Sequence, residues 1–133
     1  MIVAVIIGIL AALSIPALQR VRERSITSRL TNDFRQCEAG FHRYILESGQ
    51  TPAVALGGGV PTGMDGYLPG AYTQPSPLGG NYLWSGPSAN IVLRGSSATD
   101  ALMQPIDNAL DDGDLTTGNF TKIIGTGFGY RVN

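Results

Sequence analysis

The sequence predicts an α+β fold, in which one very long N-terminal helix packs on a small antiparallel β-sheet and long Gly/Pro-rich loops join the elements. Three observations carry this. No charged residue precedes Arg20, and a helical pattern then continues to Gly49. Residues 50–99 hold ten Gly and six Pro, a composition that disfavours helix. Within that stretch, Asn81-Tyr-Leu-Trp-Ser85 and Asn90-Ile-Val-Leu-Arg94 flank Gly86-Pro87, which is a hairpin pattern.

The first sixteen residues read MIVAVIIGILAALSIP. Pro16 lacks an N–H and crowds the preceding turn, and Gly8 is a weak helix residue, so the segment between them can lose helix at low cost. Beyond Pro16, Leu30, Phe34, Cys37, Phe41 and Tyr44 are spaced 4, 3, 4, 3, with Ile45 beside them. That is one apolar stripe on a polar helix, and Leu18 and Val21 extend it backwards. Arg29–Asp33 and Arg43–Glu47 are i,i+4 pairs and Arg35–Glu38 is i,i+3, each worth a few tenths of a kcal/mol. Gly49 with Pro52 after it marks the stop.

The predicted helix therefore spans Met1 to Ser48, about 72 Å at roughly 1.5 Å per residue. A head of this size cannot bury its first third, so lipid or further copies of the chain must. Residues 1–23 are expected to be a hydrophobic membrane or filament-core segment. Residues 24–133 are expected to be a globular head, with helix to 48 and loop and small sheet over 50–133.

Tyr67, Leu68, Tyr72, Leu78, Tyr82, Leu83 and Trp84 recur through the Gly/Pro segment, which predicts an ordered loop packed by its own side chains. Thr99 and Asp100 can cap a helix over Ala101–Leu110 with Leu102, Ile106 and Leu110 on one face, limited or distorted by Pro105. A last strand is either Lys122–Thr126 or Phe128–Val132, because Gly125, Gly127 and Gly129 leave the register open. Those glycines suggest bulges in an edge strand, since their spacing does not make a phosphate-binding loop.

The chain has 133 residues and net charge −1, which argues against nucleic acid as a partner. Residues 1–49 carry six Arg and four acids, and residues 50–133 three basic residues and six Asp. The single cysteine, Cys37, cannot close an intramolecular disulfide and fits a small buried apolar role. The only histidine, His42, is five residues away on another helix face. No nucleophile–base pair and no Cys/His metal spacing occurs, so the chain is expected not to be an enzyme. The N-terminal run has no basic side chain before it, and its small residues Ala11 and Ala12 lie inside it, unlike the pattern of a cleavable signal peptide. Met1 to Leu18 supplies about 27 Å of helix, slightly short of the roughly 30 Å of bilayer hydrocarbon.

The acidic cluster Asp107, Asp111, Asp112 and Asp114 is the one ligand-like constellation. Oxygen-only donors with a glycine between two aspartates suit a hard cation such as Ca2+. A solvated turn after a helix explains the same residues without an ion. The spacing is not that of an EF-hand, and Asn119-Phe-Thr121 matches a glycosylation sequon by pattern only.

The run MIVAVIIGILAALSIPALQRVRERS resembles the N-terminal segment of type IV pilins and type II secretion pseudopilins. In that family a pattern like FTLIEL leads into a V/I/A-rich run with Gly, ending in Ile-Pro before a long amphipathic helix. Met1 to Ala12 and Ile15-Pro16 match that run. The resemblance covers about 25 residues of motif and implies a pilin fold. It implies a structural subunit that waits in the inner membrane and then polymerises into an extracellular or periplasmic helical filament. Its partners would be further copies of itself, the inner membrane, and the pilus or type II secretion assembly machinery.

The residues implied in anchoring and polymerisation are Ile2, Val3, Val5, Ile6, Gly8, Ile9, Leu10, Ala11, Ala12, Leu13 and Pro16, with Gly8, Ala11 and Ala12 small enough for close helix approach. Family filaments lose helix between the positions of Gly8 and Pro16. Major pseudopilins also hold calcium in a loop of their C-terminal half. The family's leader, cleavage glycine and glutamate would all precede Met1, which suggests truncation at an internal methionine. Charge alone would keep the side carrying Arg20, Arg22, Arg24 and Arg29 in the cytoplasm, whereas the family has the opposite orientation. The lone cysteine differs from the disulfide-closed loop of many type IV pilins and leans towards a pseudopilin. The rival expectation is a membrane-tethered module whose Tyr/Trp-rich loop holds a glycan or peptide.

Overall fold

Apolar residues at spacings of three and four decide how the first helix, α1 (Ile2–Ser48), meets the rest of the chain. The computed structural model describes residues 2–123 and 127–133. Along α1, Leu30, Phe34, Cys37 and Phe41 are fully buried. Leu18 and Val21, which continue the stripe in sequence, are more than half exposed, because the core reaches the helix only from Ile26 onward. The helix ends where Gly49 adopts φ 69° and donates its N–H to the Ile45 carbonyl at 2.8 Å. Only glycine takes that left-handed conformation without strain.

Four strands follow: β1 (Asn81–Trp84), β2 (Asn90–Arg94), β3 (Phe120–Ile123) and β4 (Gly127–Arg131). They form one antiparallel sheet in the order β1-β2-β4-β3. The fold is therefore α+β. Its register sets Trp84, Ile91, Tyr130 and Phe120 in a row across all four strands, beside the row Tyr82, Leu93, Phe128 and Lys122. The α1 helix lies against these rows. Phe34 meets Tyr82, Phe120 and Tyr130 edge-on at 5.7, 5.4 and 6.2 Å, and Phe41 stacks on Trp84 at 4.0 Å. Such aromatic pairs add about 0.5–1.5 kcal/mol each beyond the area they bury.

Residues 49–80 pack Met64 and Tyr72 into the same core. Their chain covers the β1 edge through paired backbone bonds between Ala55 and Trp84 at 3.0 and 3.1 Å, and the Trp84 indole N–H donates to the Pro52 carbonyl at 3.1 Å.

The C-terminal end departs from the sequence expectation of a single last strand. Both candidates contribute strands, β3 and β4, and β4 lies inside the sheet, so Gly127 and Gly129 are not edge bulges. The Ile123 side chain passes 2.6 Å from where a Gly129 Cβ would stand. Residues 124–126 of the first candidate, Gly125 included, lie outside the described residues.

Between β2 and β3 runs α2 (Asp100–Leu110), capped by Thr99, whose Oγ1 accepts from the Leu102 N–H at 3.4 Å. Pro105 sits inside this helix without ending it. It is exposed, as is Ala101, whose carbonyl the missing N–H would have met. The buried face is Met103, Ile106 and Asp107, with Leu102 and Leu110 only partly covered at its flanks.

Of the three local charge pairs read from sequence, Arg43–Glu47 forms, at 2.9 Å. The other two lose to partners distant in sequence. Asp33 is buried and accepts from the Tyr82 hydroxyl at 3.0 Å. Arg35 donates to the Ala109 carbonyl at 2.8 Å, tying α1 to the end of α2, and Glu38 accepts from the Tyr130 hydroxyl at 3.1 Å. Tyr82→Phe is expected to destabilise the head by about 2 kcal/mol, because it strands a buried carboxyl. Chemical denaturation of the full chain in detergent measures this, and a loss under about 0.5 kcal/mol, the range of ordinary surface changes, would show that Asp33 needs no such partner.

Candidate functional site

Two places carry candidate function. The first is the N-terminal third of α1, where every residue from Ile2 to Pro16 is helical and exposed. Of the residues singled out in the sequence, Ile2, Val3, Val5, Ile6, Ile9, Leu10 and Leu13 are 51–78% exposed. Gly8, Ala11, Ala12 and Pro16 lie among them on the same unbroken helix. The helix is long and apolar enough to cross a membrane, and none of its apolar window is buried. A β-carbon at Gly8 would meet nothing within 4 Å, so no contact among the described residues requires a glycine there. Pro16 leaves the Ala12 carbonyl without its helical donor, and Ser14 donates its hydroxyl to the neighbouring Ala11 carbonyl at 3.0 Å. The bond satisfies the Ser14 hydroxyl within the helix, as hydrocarbon surroundings require of a polar side chain.

The second place is the turn after α2. One carboxylate oxygen from each of Asp107, Asp111 and Asp112 lies within 4.8 Å of the others. Calcium–oxygen distances of 2.3–2.6 Å put oxygens on opposite sides of the ion about 4.6–5.2 Å apart, so the spacing fits. Asp107 is fully buried on the inner face of α2, and among the described residues neither of its oxygens has a partner in hydrogen-bond geometry. Burial, then the charges of Asp112 and Asp111, push its pKa up, with the Gly113 N–H acting weakly the other way.

Asp111 accepts from the N–H groups of Asn119 and Phe120, which fixes the turn onto β3. Asp112 accepts from the Thr117 hydroxyl at 2.7 Å and the Asp114 N–H at 2.9 Å, and these hold its pKa below the usual carboxylate value. Asp114 does not join the group. Its carboxylate turns onto the Thr116 hydroxyl and N–H, which lower its pKa and close the turn locally. Asp107, Asp111 and Asp112 are thus the residues that would hold a cation, and Asp107 is the one left without a partner among the described residues.

Sequence reading gave no reason to set Asp107 apart from its neighbours. A signal was there: residues 103, 107 and 110 share the i, i+4, i+7 face that packs inward. The aromatic loop offers little to a ligand, since Tyr72, Tyr82 and Trp84 are fully buried and the Tyr67 hydroxyl donates to Glu47. Cys37 is buried, and that burial, helped by Asp33, pushes its thiol up to about 12, which makes it a poor nucleophile. No protein-family model, curated protein or solved structure matches this chain.

Proposed function

We propose that this chain is a structural subunit of a type IV pilus-like filament, a type IV pilin or a pseudopilin. It is anchored in the inner membrane before assembly and polymerises through α1 into an extracellular or periplasmic filament. The observation that carries the reading is the division of one unbroken helix. Its first third is apolar and exposed, while residues 30–41 build the core of the head. A rigid helix of this kind gives lipid and neighbouring copies the same surface to bind at different times. Moving from lipid into a filament brings little hydrophobic gain, so close packing at Gly8, Ala11 and Ala12 must supply it.

The long helix laid across a four-stranded antiparallel sheet supports a pilin-type head. In this reading Asp107, Asp111 and Asp112 hold calcium, which fixes the α2–β3 turn. The partners are further copies, the inner membrane, and the pilus or type II secretion assembly machinery.

The test is filament recovery. Antibody-labelled filaments should appear by negative stain in the sheared fraction. Where filaments stay short, a Leu13→Cys variant should give oxidative cross-links between copies in the membrane fraction. Absence of both labelled filaments and cross-linked ladders would overturn the proposal.

A further inference from the structure

We propose that Arg20, Arg22 and Arg24 form a collar that binds the phosphates of anionic phospholipids in the leaflet facing the head, fixing how deeply α1 sits. This rests on the membrane-anchored reading above. Leu18 is the last apolar residue of the N-terminal run, and the three guanidinium-bearing positions follow it by about 3, 6 and 9 Å along the helix axis at roughly 1.5 Å per residue. The headgroup layer is about 5–8 Å thick on each side of the hydrocarbon, and arginine side chains reach several ångströms along their helix. Height alone therefore places the collar among headgroups.

Direction decides the partner. At about 100° per residue, Arg20 and Arg24 are roughly 40° apart, and Arg22 lies about 200° from Arg20, on the opposite side of the helix. A docking protein would meet one side. A headgroup layer meets all of them at the same height.

The arginines are exposed, and among the described residues none of the three forms an ion pair. Glu23 is the sole acid before Asp33 and leaves the collar a net charge of +2. Asp100, which begins α2, is held by Lys122 at 2.7 Å and does not neutralise the collar. On the side of Arg20 and Arg24, an open groove of about 350 Å³ runs between α1 and α2. Glu23 lines it beside the two arginines, and Thr27, Ser28, Leu102 and Pro105 line it farther from the apolar run.

The experiment partitions the full chain between buffer and vesicles of neutral phosphatidylcholine, with or without 30 mol% phosphatidylglycerol (a composition chosen as roughly one third anionic lipid). At about five-fold per net positive charge, the anionic vesicles should be preferred roughly 25-fold. In about 0.5 M salt the preference should fall to a few-fold, because screening shortens to roughly 4 Å. The Arg20→Gln/Arg22→Gln/Arg24→Gln variant should lose the preference, and the corresponding triple Lys variant should keep it. Arg29→Gln, about 16 Å beyond Leu18, should change it less than two-fold.

Equal partition of the wild type into both vesicles, or an undiminished preference in the triple Gln variant, would overturn the collar. Competition by millimolar inorganic phosphate would also overturn it, since that indicates a free-anion site. Failure to enter neutral vesicles at all would instead overturn the anchoring reading. The two failures are therefore distinguishable.

Discussion

Leu10→Asp is expected to abolish filament formation while leaving the thermal unfolding of the head unchanged. Leu10 is 62% exposed and lies sixteen residues before Ile26, where the core begins, a separation of about 24 Å along the helix. The head therefore has no means of sensing the substitution, and its stability should move by less than about 0.5 kcal/mol. In a packed bundle of N-terminal helices the same carboxylate has neither water nor a partner. At about 2.5–3.5 kcal/mol for Asp at the centre of a membrane-spanning helix, the pool of anchored subunit that feeds assembly also falls roughly a hundred-fold.

Gly8→Leu separates packing from anchoring, because it adds apolar surface for lipid while filling the gap a neighbouring helix would need. It should keep the chain in the membrane and still block assembly. Negative-stain counts of filaments, membrane fractionation and a melting curve measure the three properties. Normal filaments from either variant would argue against a core of packed α1 segments.

What could be read from the sequence was set by local physics. The end of α1, the stripe Leu30-Phe34-Cys37-Phe41 and the Thr99 cap depend on neighbours within one or two turns, and Gly49 ends the helix as its position implies, while the expected start at Met1 lies outside the described residues. The β1–β2 hairpin was legible for the same reason, since β-prone residues flank a Gly-Pro turn. The rest depends on partners far along the chain.

Nothing near Gly127 and Gly129 shows that a strand will lie on each side of them, so an interior strand read as a bulged edge. Asp33 and Glu38 have arginines within a turn, yet Tyr82 and Tyr130 reach them from the sheet and offer a less solvated bond. The cation candidates were read as four equivalent aspartates. Burial on α2 sets Asp107 apart, and the Thr116 hydroxyl draws Asp114 away. The exposed N-terminal third was the most legible feature, because a helix of about 72 Å is too long for so small a head to bury.

Calcium is expected to raise the melting temperature of the full chain in detergent, and Asp107→Asn to remove that response. At a concentration one hundred times its dissociation constant, a ligand bound only to the folded state adds about 2.7 kcal/mol. At roughly 4 °C per kcal/mol for a domain of this size, that is a rise of about 10 °C. The variant should also change the metal-free protein in the opposite sense. Asp107 is buried, unpartnered and close to two other carboxylates, so its charge opposes folding until a cation compensates it. Asparagine keeps the shape and removes the charge. The metal-free variant should then melt above the metal-free wild type, while the calcium-loaded variant melts below the calcium-loaded wild type.

Asp114→Asn provides the contrast. Its carboxylate serves the turn at Thr116 and stands outside the group, so the response to calcium should persist. A merely solvated acidic turn predicts the reverse of this pattern: little effect of calcium, and no stabilisation of the metal-free protein by Asp107→Asn. Melting curves with calcium, with magnesium and with a chelator decide between them. Magnesium should give the smaller rise, since it requires a near-ideal octahedron at shorter distances and gives up its waters reluctantly.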